Sequence, residues 1–209
     1  MSFNLENLVK YRPYLYHLTS RQNLASIRLD RQLRCANRLL DDAKLEHVAG
    51  QRRREHLVID GENGPLLIRD QEPLSVGSIN FEDGWTLERF VRHINAHVFF
   101  WPGTSEGPIQ VGRNHFERYR HEGSVILRIA TGSVTPLALL FSRYNSGAPR
   151  CSGGKYSPRG PGTYLRADQF TGTVSNVVEV VSAGGFSLPD STEFSDSLGG
   201  PWQSLFAAS

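Results

Sequence analysis

Cysteine is scarce in this chain. Only Cys35 and Cys151 occur among 209 residues, too few for the disulfide framework of a small secreted domain, so a reducing, cytoplasmic setting is expected. Charge of one sign is lacking as well: a net +2 excludes attraction to nucleic acid or membrane by overall charge and leaves only local clusters to argue from. No apolar run reaches the ~20 residues of a membrane-spanning helix. Residues 1–7 do not join a basic segment to an apolar one, so neither a secretory signal nor a membrane partner is expected. Three catalytic signatures are missing too. Gly153-Gly154-Lys155 lacks the Ser or Thr of a phosphate loop, no GxSxG elbow occurs, and His93 is followed by Ile94 rather than by the glutamate of a zinc peptidase. These absences argue against ordinary nucleoside triphosphate hydrolysis, serine hydrolysis and a metal site.

What is present suits one soluble domain. Hydrophobic residues make up 39%, and 20 Gly with 11 Pro imply many turns, which leans the fold class to α+β. Periodicity predicts a strand at 14–19, a short helix over 22–29, helical spacing from Leu33 to Ala43, and a hairpin of 57–60 with 66–69. It also predicts a helix over 85–94 and strands at 97–101, 124–129 and 177–181. Pro102-Gly103 is expected to end the first of these strands. Residues 183–209, rich in Ser, Gly, Asp and Pro, read as a loosely docked C-terminal tail behind a single domain of 1–182.

Three places carry chemistry. Tyr16-His17-Leu18-Thr19 sets an imidazole and a hydroxyl on one face of a strand, and Ser20 or Thr19 can cap the following helix, which carries Asn23. Glu179 interrupts a run of valines, where a carboxylate costs desolvation unless it meets a polar site or water. Residues 143–167 hold no acid, yet include Arg143, Arg150, Lys155, Arg159 and Arg166 interleaved with Tyr144, Tyr156 and Tyr164. That pattern suits phosphate contact and base stacking on a single strand; the bland alternative pairs these cations with Asp190, Glu193 and Asp196. The run Arg52-Arg53-Arg54 is expected to be a solvated patch.

Tyr16-His17-Leu18-Thr19 through Asn23-Leu24-Ala25-Ser26-Ile27 resembles the first NAD-binding element of ADP-ribosyltransferases, especially the DarT-type toxins that modify DNA. Asn95 to Gly103 looks like the aromatic strand beneath nicotinamide, 143–164 like the loop that presents substrate, and Val178-Glu179-Val180 like the strand of the catalytic glutamate. The chain also resembles uncharacterised bacterial proteins sharing RDQxPL, VFFWPG and RYNSGxPRCSGG stretches. The first resemblance implies two packed, mainly antiparallel β-sheets with flanking helices, and NAD as co-substrate. It implies that His17, Thr19 and Asn23 bind the cofactor, that Phe100 or Trp101 stacks on nicotinamide, and that Glu179 is catalytic. An arginine joins them in that family; Arg53, Arg54 and Arg69 are the candidates, with Arg69 favoured because it ends a strand. Arg143, Tyr144, Asn145, Arg150, Lys155 and Arg159 would contact the acceptor, a DNA base or RNA. A toxin or phage-defence role brings an antitoxin or other neutralising protein as a partner. Two other readings stand beside this one: the same chemistry directed at protein, a small molecule or water, and a non-catalytic module that binds single-stranded nucleic acid.

Overall fold

The computed structural model describes residues 3–135, 138–147, 151–152, 155–156 and 158–207, with 151, 152, 155 and 156 described by their backbone. Its frame is an eight-stranded antiparallel sheet made of β1 (Tyr14–Ser20), β2 (His97–Thr104), β3 (Gly107–Pro108), β4 (Ser124–Ala130), β5 (Leu139–Ser142), β6 (Glu179–Ala183), β7 (Glu193–Ser195) and β8 (Gln203–Ser204). The strands lie in the order β8-β7-β4-β1-β2-β6-β5, and β3 folds back on the end of β2. Among the described residues the α-helices are α1 (Leu5–Tyr11), α2 (Leu24–Asp30), α3 (Ala36–Asp42), α4 (Leu87–Asn95) and α5 (Gln110–Tyr119). The fold class is therefore α+β.

Alternation along the central strands explains why both faces of the sheet are covered. Leu15, Phe100, Leu127 and Ile129 project into one apolar cluster, whereas Tyr16, Leu18, Trp101 and Ile126 project into another with Phe116 of α5. Leu15, Tyr16, Phe100, Leu127 and Ile129 are fully buried, and each such side chain stabilises the fold by roughly 1.5–3 kcal/mol relative to exposure. Helix α4 begins where the Thr86 hydroxyl accepts from the Arg89 amide. It lays Phe90, Val91 and Ile94 under Val181 of β6.

One irregularity of the sheet decides where a site can form. β1 pairs with β4 along its whole length, from Tyr14 to Ser20, but with β2 only at Tyr14–Gly103, Leu15–Pro102 and Tyr16–Trp101. Beyond Tyr16 the two strands part, and the first half of β2, His97 to Phe100, pairs with β6 instead. Hydrogen bonding in the eight-stranded sheet thus passes through β2, whose first half pairs with β6 and whose second half pairs with β1 along a short ladder.

Other expectations are corrected. β2 does not stop before Pro102 but continues to Thr104. The Pro102 carbonyl accepts from the Ile109 amide at 3.0 Å, and a Cβ on Gly103 would lie 2.2 Å from the Gly107 carbonyl oxygen, so the return into β3 needs glycine there. The helical spacing from Leu33 resolves into a strand, Gln32–Arg34, followed by α3. The tail is no loose appendage. Gly185–Ser187 pairs with Gln32–Arg34, β7 pairs with β4, and Phe186, Leu188, Phe194 and Leu205 enter the main core. These four apolar anchors are scattered among polar residues, so average composition hides them. Its acids pair with Arg31 (Asp190), Arg128 (Glu193) and Arg21 (Asp196).

Candidate functional site

A cleft of about 270 Å³ opens where β1 and β2 part, and it is lined by His17, Thr19, Asn23, Arg53, Arg69, Phe99, Trp101, His115, Asn145 and Glu179 among others. His17 spans the gap: its Nδ1 lies 2.8 Å from the Phe99 carbonyl oxygen. A carbonyl only accepts, so Nδ1 carries the proton and Nε2 is left as an acceptor. Burial pushes the His17 imidazole down to about 4, opposed by the Phe99 carbonyl and assisted by Arg69. It is neutral at physiological pH.

Ser20 caps the turn after β1, accepting from the Gln22 amide at 3.3 Å. Asn23 follows, and its amide is committed to the Leu57–Gly61/Gly64–Ile68 hairpin. Nδ2 donates to the Leu67 carbonyl at 2.9 Å, and Oδ1 accepts from the Leu67 amide at 2.8 Å. Asn23 therefore works as a clasp between helix and hairpin, with a weaker bond of 3.3 Å to the Thr19 hydroxyl, and has little left for a ligand.

The clasped hairpin delivers Arg69. Its Nη2 donates to the Thr19 carbonyl at 2.9 Å and to the Ser124 hydroxyl at 2.6 Å, and its guanidinium lies 4.8 Å from the Tyr119 ring centre. Arg53, expected in a solvated patch, lies beside it. Arg53 Nε donates to the Arg69 carbonyl and Nη2 to Asn95 Oδ1, at 3.0 and 3.1 Å. Asn95 is itself fixed by Gln71 and by the Ala49 carbonyl. Burial lowers both guanidinium groups, Arg53 to about 10 with Asp70 opposing and Arg69 against Tyr119, Glu122 and Asp70; arginine keeps its charge in proteins. Arg53 Nη1, Arg69 Nε and Nη1, and Trp101 Nε1 are buried without a hydrogen-bond partner among the described residues. An unmade bond of this kind costs about 1–3 kcal/mol. Four orphan donors in one cleft call for a ligand rich in acceptors and negative charge.

Glu179 stands first in β6, opposite Ser142 of β5, and is only 2% exposed. Simple alternation would have put it in solvent; instead Glu179, Val180, Val181 and Ser182 are all buried. Its carboxylate accepts from the Ser146 amide, 3.1 Å from each oxygen, and from the Ser146 hydroxyl. Burial raises it to about 7, against the lowering effect of the Ser146 bonds and of Arg159. Tyr164 faces it, and burial followed by the Glu179 charge holds that phenol well above its ordinary value.

Several expected roles change. Phe100 points away from the cleft into the core, 4.7 Å from Phe186, and its neighbours Phe99 and Trp101 line the cleft. Arg159 is no surface contact: it is 1% exposed, donates to the Asn145 carbonyl at 3.1 Å and covers the Tyr144 ring at 4.6 Å. Arg143 is exposed but leans on Phe170 and donates to Thr171. Asn145 does reach the cleft. Lys155 pairs through its backbone with Ser152, and Arg150 lies outside the described residues. His93 and His97 pack on Tyr164, with ring centres 5.0 and 4.6 Å away. Among the described residues no cluster of His, Cys, Asp and Glu is grouped to hold a metal ion. Sequence reasoning missed Ser146, His115 and the partial burial of Arg53. His115 lies 4.9 Å from Trp101, ring to ring, and burial, followed by Arg69 and Arg118, pushes it down to about 4.

The fold and site define an α+β protein whose antiparallel sheet parts around a cleft holding a buried carboxylate and two arginines. Residues 13–184 match the family of unknown function DUF7002, and the chain belongs to that family. No curated protein and no solved structure matches it. No helix among the described residues is long and apolar enough to cross a membrane.

Proposed function

We propose that this protein is an NAD-dependent ADP-ribosyltransferase that modifies a nucleic acid, with a DNA base as the favoured acceptor, in the role of a toxin or phage-defence effector. The observation that supports this most is convergence: His17 and Thr19, Arg69, Trp101 and Glu179 come from four separate segments of chain and line one cleft. NAD fits the chemistry of the lining. Its diphosphate supplies the charge and acceptors that the orphan donors of Arg53 and Arg69 lack, and Phe99 and Trp101 offer aromatic faces to its nicotinamide.

When bound, NAD supplies a glycosidic bond with a ready leaving group. The chain's part is to orient it and to handle charge and protons. His17 Nε2 would accept from a ribose hydroxyl. Glu179, once ionised, would oppose the positive charge that develops on the sugar and take the proton of the attacking group. Residues 143–147 adjoin Glu179, so the acceptor would enter there. Among the described residues the tail acids pair with Arg21, Arg31 and Arg128, which weighs against the reading in which they neutralise the basic loop. A toxin of this kind would have an antitoxin or other neutralising partner.

Calorimetric titration with NAD tests the reading. Saturable binding, weakened tenfold or more in His17→Ala, is expected; absence of saturable binding by the wild type would overturn it.

A further inference from the structure

We propose that Ser146 is the positioning residue of Glu179, fixing the carboxyl group in one place and serving it in both its charged and its neutral form. The inference rests on the reading of Glu179 as the group that takes a proton.

Its basis is the set of bonds that one residue makes. The Ser146 amide lies 3.1 Å from both carboxylate oxygens, and the hydroxyl contacts Oε2. Ser146 is fully buried and Glu179 nearly so, so water is not a ready substitute. The two donors differ in kind. An amide N–H only donates and favours the anion, whereas a hydroxyl donates to a carboxylate and, turned about its C–O bond, accepts from a carboxylic acid. A buried carboxyl group held only by fixed donors would be locked as the anion; one without donors would be locked as the acid. With one fixed and one reversible partner, Glu179 can exchange a proton without orphaning a buried atom.

Ser146 is itself held. The carbonyl of Asn145 accepts from buried Arg159, which stacks on Tyr144, and the Tyr144 amide donates to the hydroxyl of Ser142, the strand partner of Glu179, at 3.1 Å. The turn 142–146 thus closes around the carboxyl group from the neighbouring strand. Among the described residues the other ionisable groups facing Glu179 are Arg159 and Tyr164. Arginine keeps its proton in proteins and the Tyr164 phenol is held well above its ordinary value, so the Ser146 bonds are the ones that change with the Glu179 proton.

The test is a pH titration of the Glu179 side-chain carboxyl carbon by ¹³C NMR, assigned with Glu179→Gln, in wild type, Ser146→Ala and Ser146→Thr. The wild-type midpoint is expected near 7. Loss of the hydroxyl should move it up by about one unit, and Thr should restore it to within about 0.3 unit. An unmoved midpoint in Ala, or one displaced equally in Ala and Thr, would overturn the proposal. The acidic limb of NAD cleavage should move with the NMR midpoint. If the wild type cleaves no NAD while the midpoint still moves, the transferase reading fails and the assignment of Ser146 stands.

Discussion

His17 Nδ1 and the carbonyl oxygen of Phe99 lie 2.8 Å apart across the point at which β1 and β2 stop pairing. This side-chain bond stands in for the backbone ladder that is missing there. It also sets the tautomer of the imidazole, so the same contact that closes the sheet turns an acceptor toward the cleft. Fold and site meet in one hydrogen bond.

Replacing His17 by Ala should therefore cost both stability and affinity. The Phe99 carbonyl loses its donor in a half-dry gap, a loss of about 1–3 kcal/mol in urea unfolding. His17→Asn can still donate and should recover part of the stability but not the NAD affinity. Equal affinity in Asn and wild type would contradict the role given to Nε2.

Glu179 imposes a pH dependence whose sign follows from its raised value. The carboxyl group binds its proton more tightly when folded, near 7, than when unfolded, near 4.5. Its contribution is fully present below about 4.5 and is lost as pH rises through about 7, a cost on the order of 3 kcal/mol at pH 8. Glu179→Gln should be the more stable protein at pH 8 and differ little at pH 4.5, as read by denaturant midpoints. A wild type whose advantage grew with pH would contradict a buried, raised carboxyl group.

Arg53 and Arg69 carry donors that no described residue uses. Substituting either by Gln should weaken ADP-ribose binding tenfold or more and also cost about 1–3 kcal/mol of stability, because the Thr19 carbonyl and Ser124 hydroxyl lose the Arg69 donor and the Arg69 carbonyl and Asn95 lose the Arg53 donor. Binding of free nicotinamide should hardly change. Undiminished ADP-ribose affinity in both variants would place the anionic ligand elsewhere.

Within the basic loop the arginines should separate into two kinds. Arg159→Ala removes a buried cation that faces Glu179 and should destabilise by about 3–5 kcal/mol. Arg143→Ala, at an exposed site, should cost about 0.5 kcal/mol or less. In nucleic-acid binding the same Arg143 variant should lower the salt slope by about one. Unfolding curves and a salt series check both halves.

How much of this could be read from the chain depended on whether a residue announced its own oddity. His17, Thr19 and Glu179 interrupt apolar runs, and a polar group there must answer to something, so all three were legible. Phe99, Phe100 and Trp101 form a strand covered on both faces, where alternation exists but its phase leaves no mark, so the pattern does not distinguish the core residue Phe100 from the cleft residue Phe99. Arg53 sits among exposed charges in sequence; only the nonlocal packing of Asn95 and Gln71 against it makes it a cleft residue. Ser146 gives no signal, since its importance comes from Glu179, 33 residues away. Phe186, Leu188, Phe194 and Leu205 are too widely spaced to offset a polar average, yet each fills a place in the core.

The most direct measurement is incubation of the protein with NAD labelled in its adenosine half, in the presence of separate pools of single-stranded DNA, RNA and protein. The account predicts release of nicotinamide and covalent label on nucleic acid, DNA above all, with none in Glu179→Gln. Intact NAD and unlabelled pools with the folded wild-type protein would contradict it.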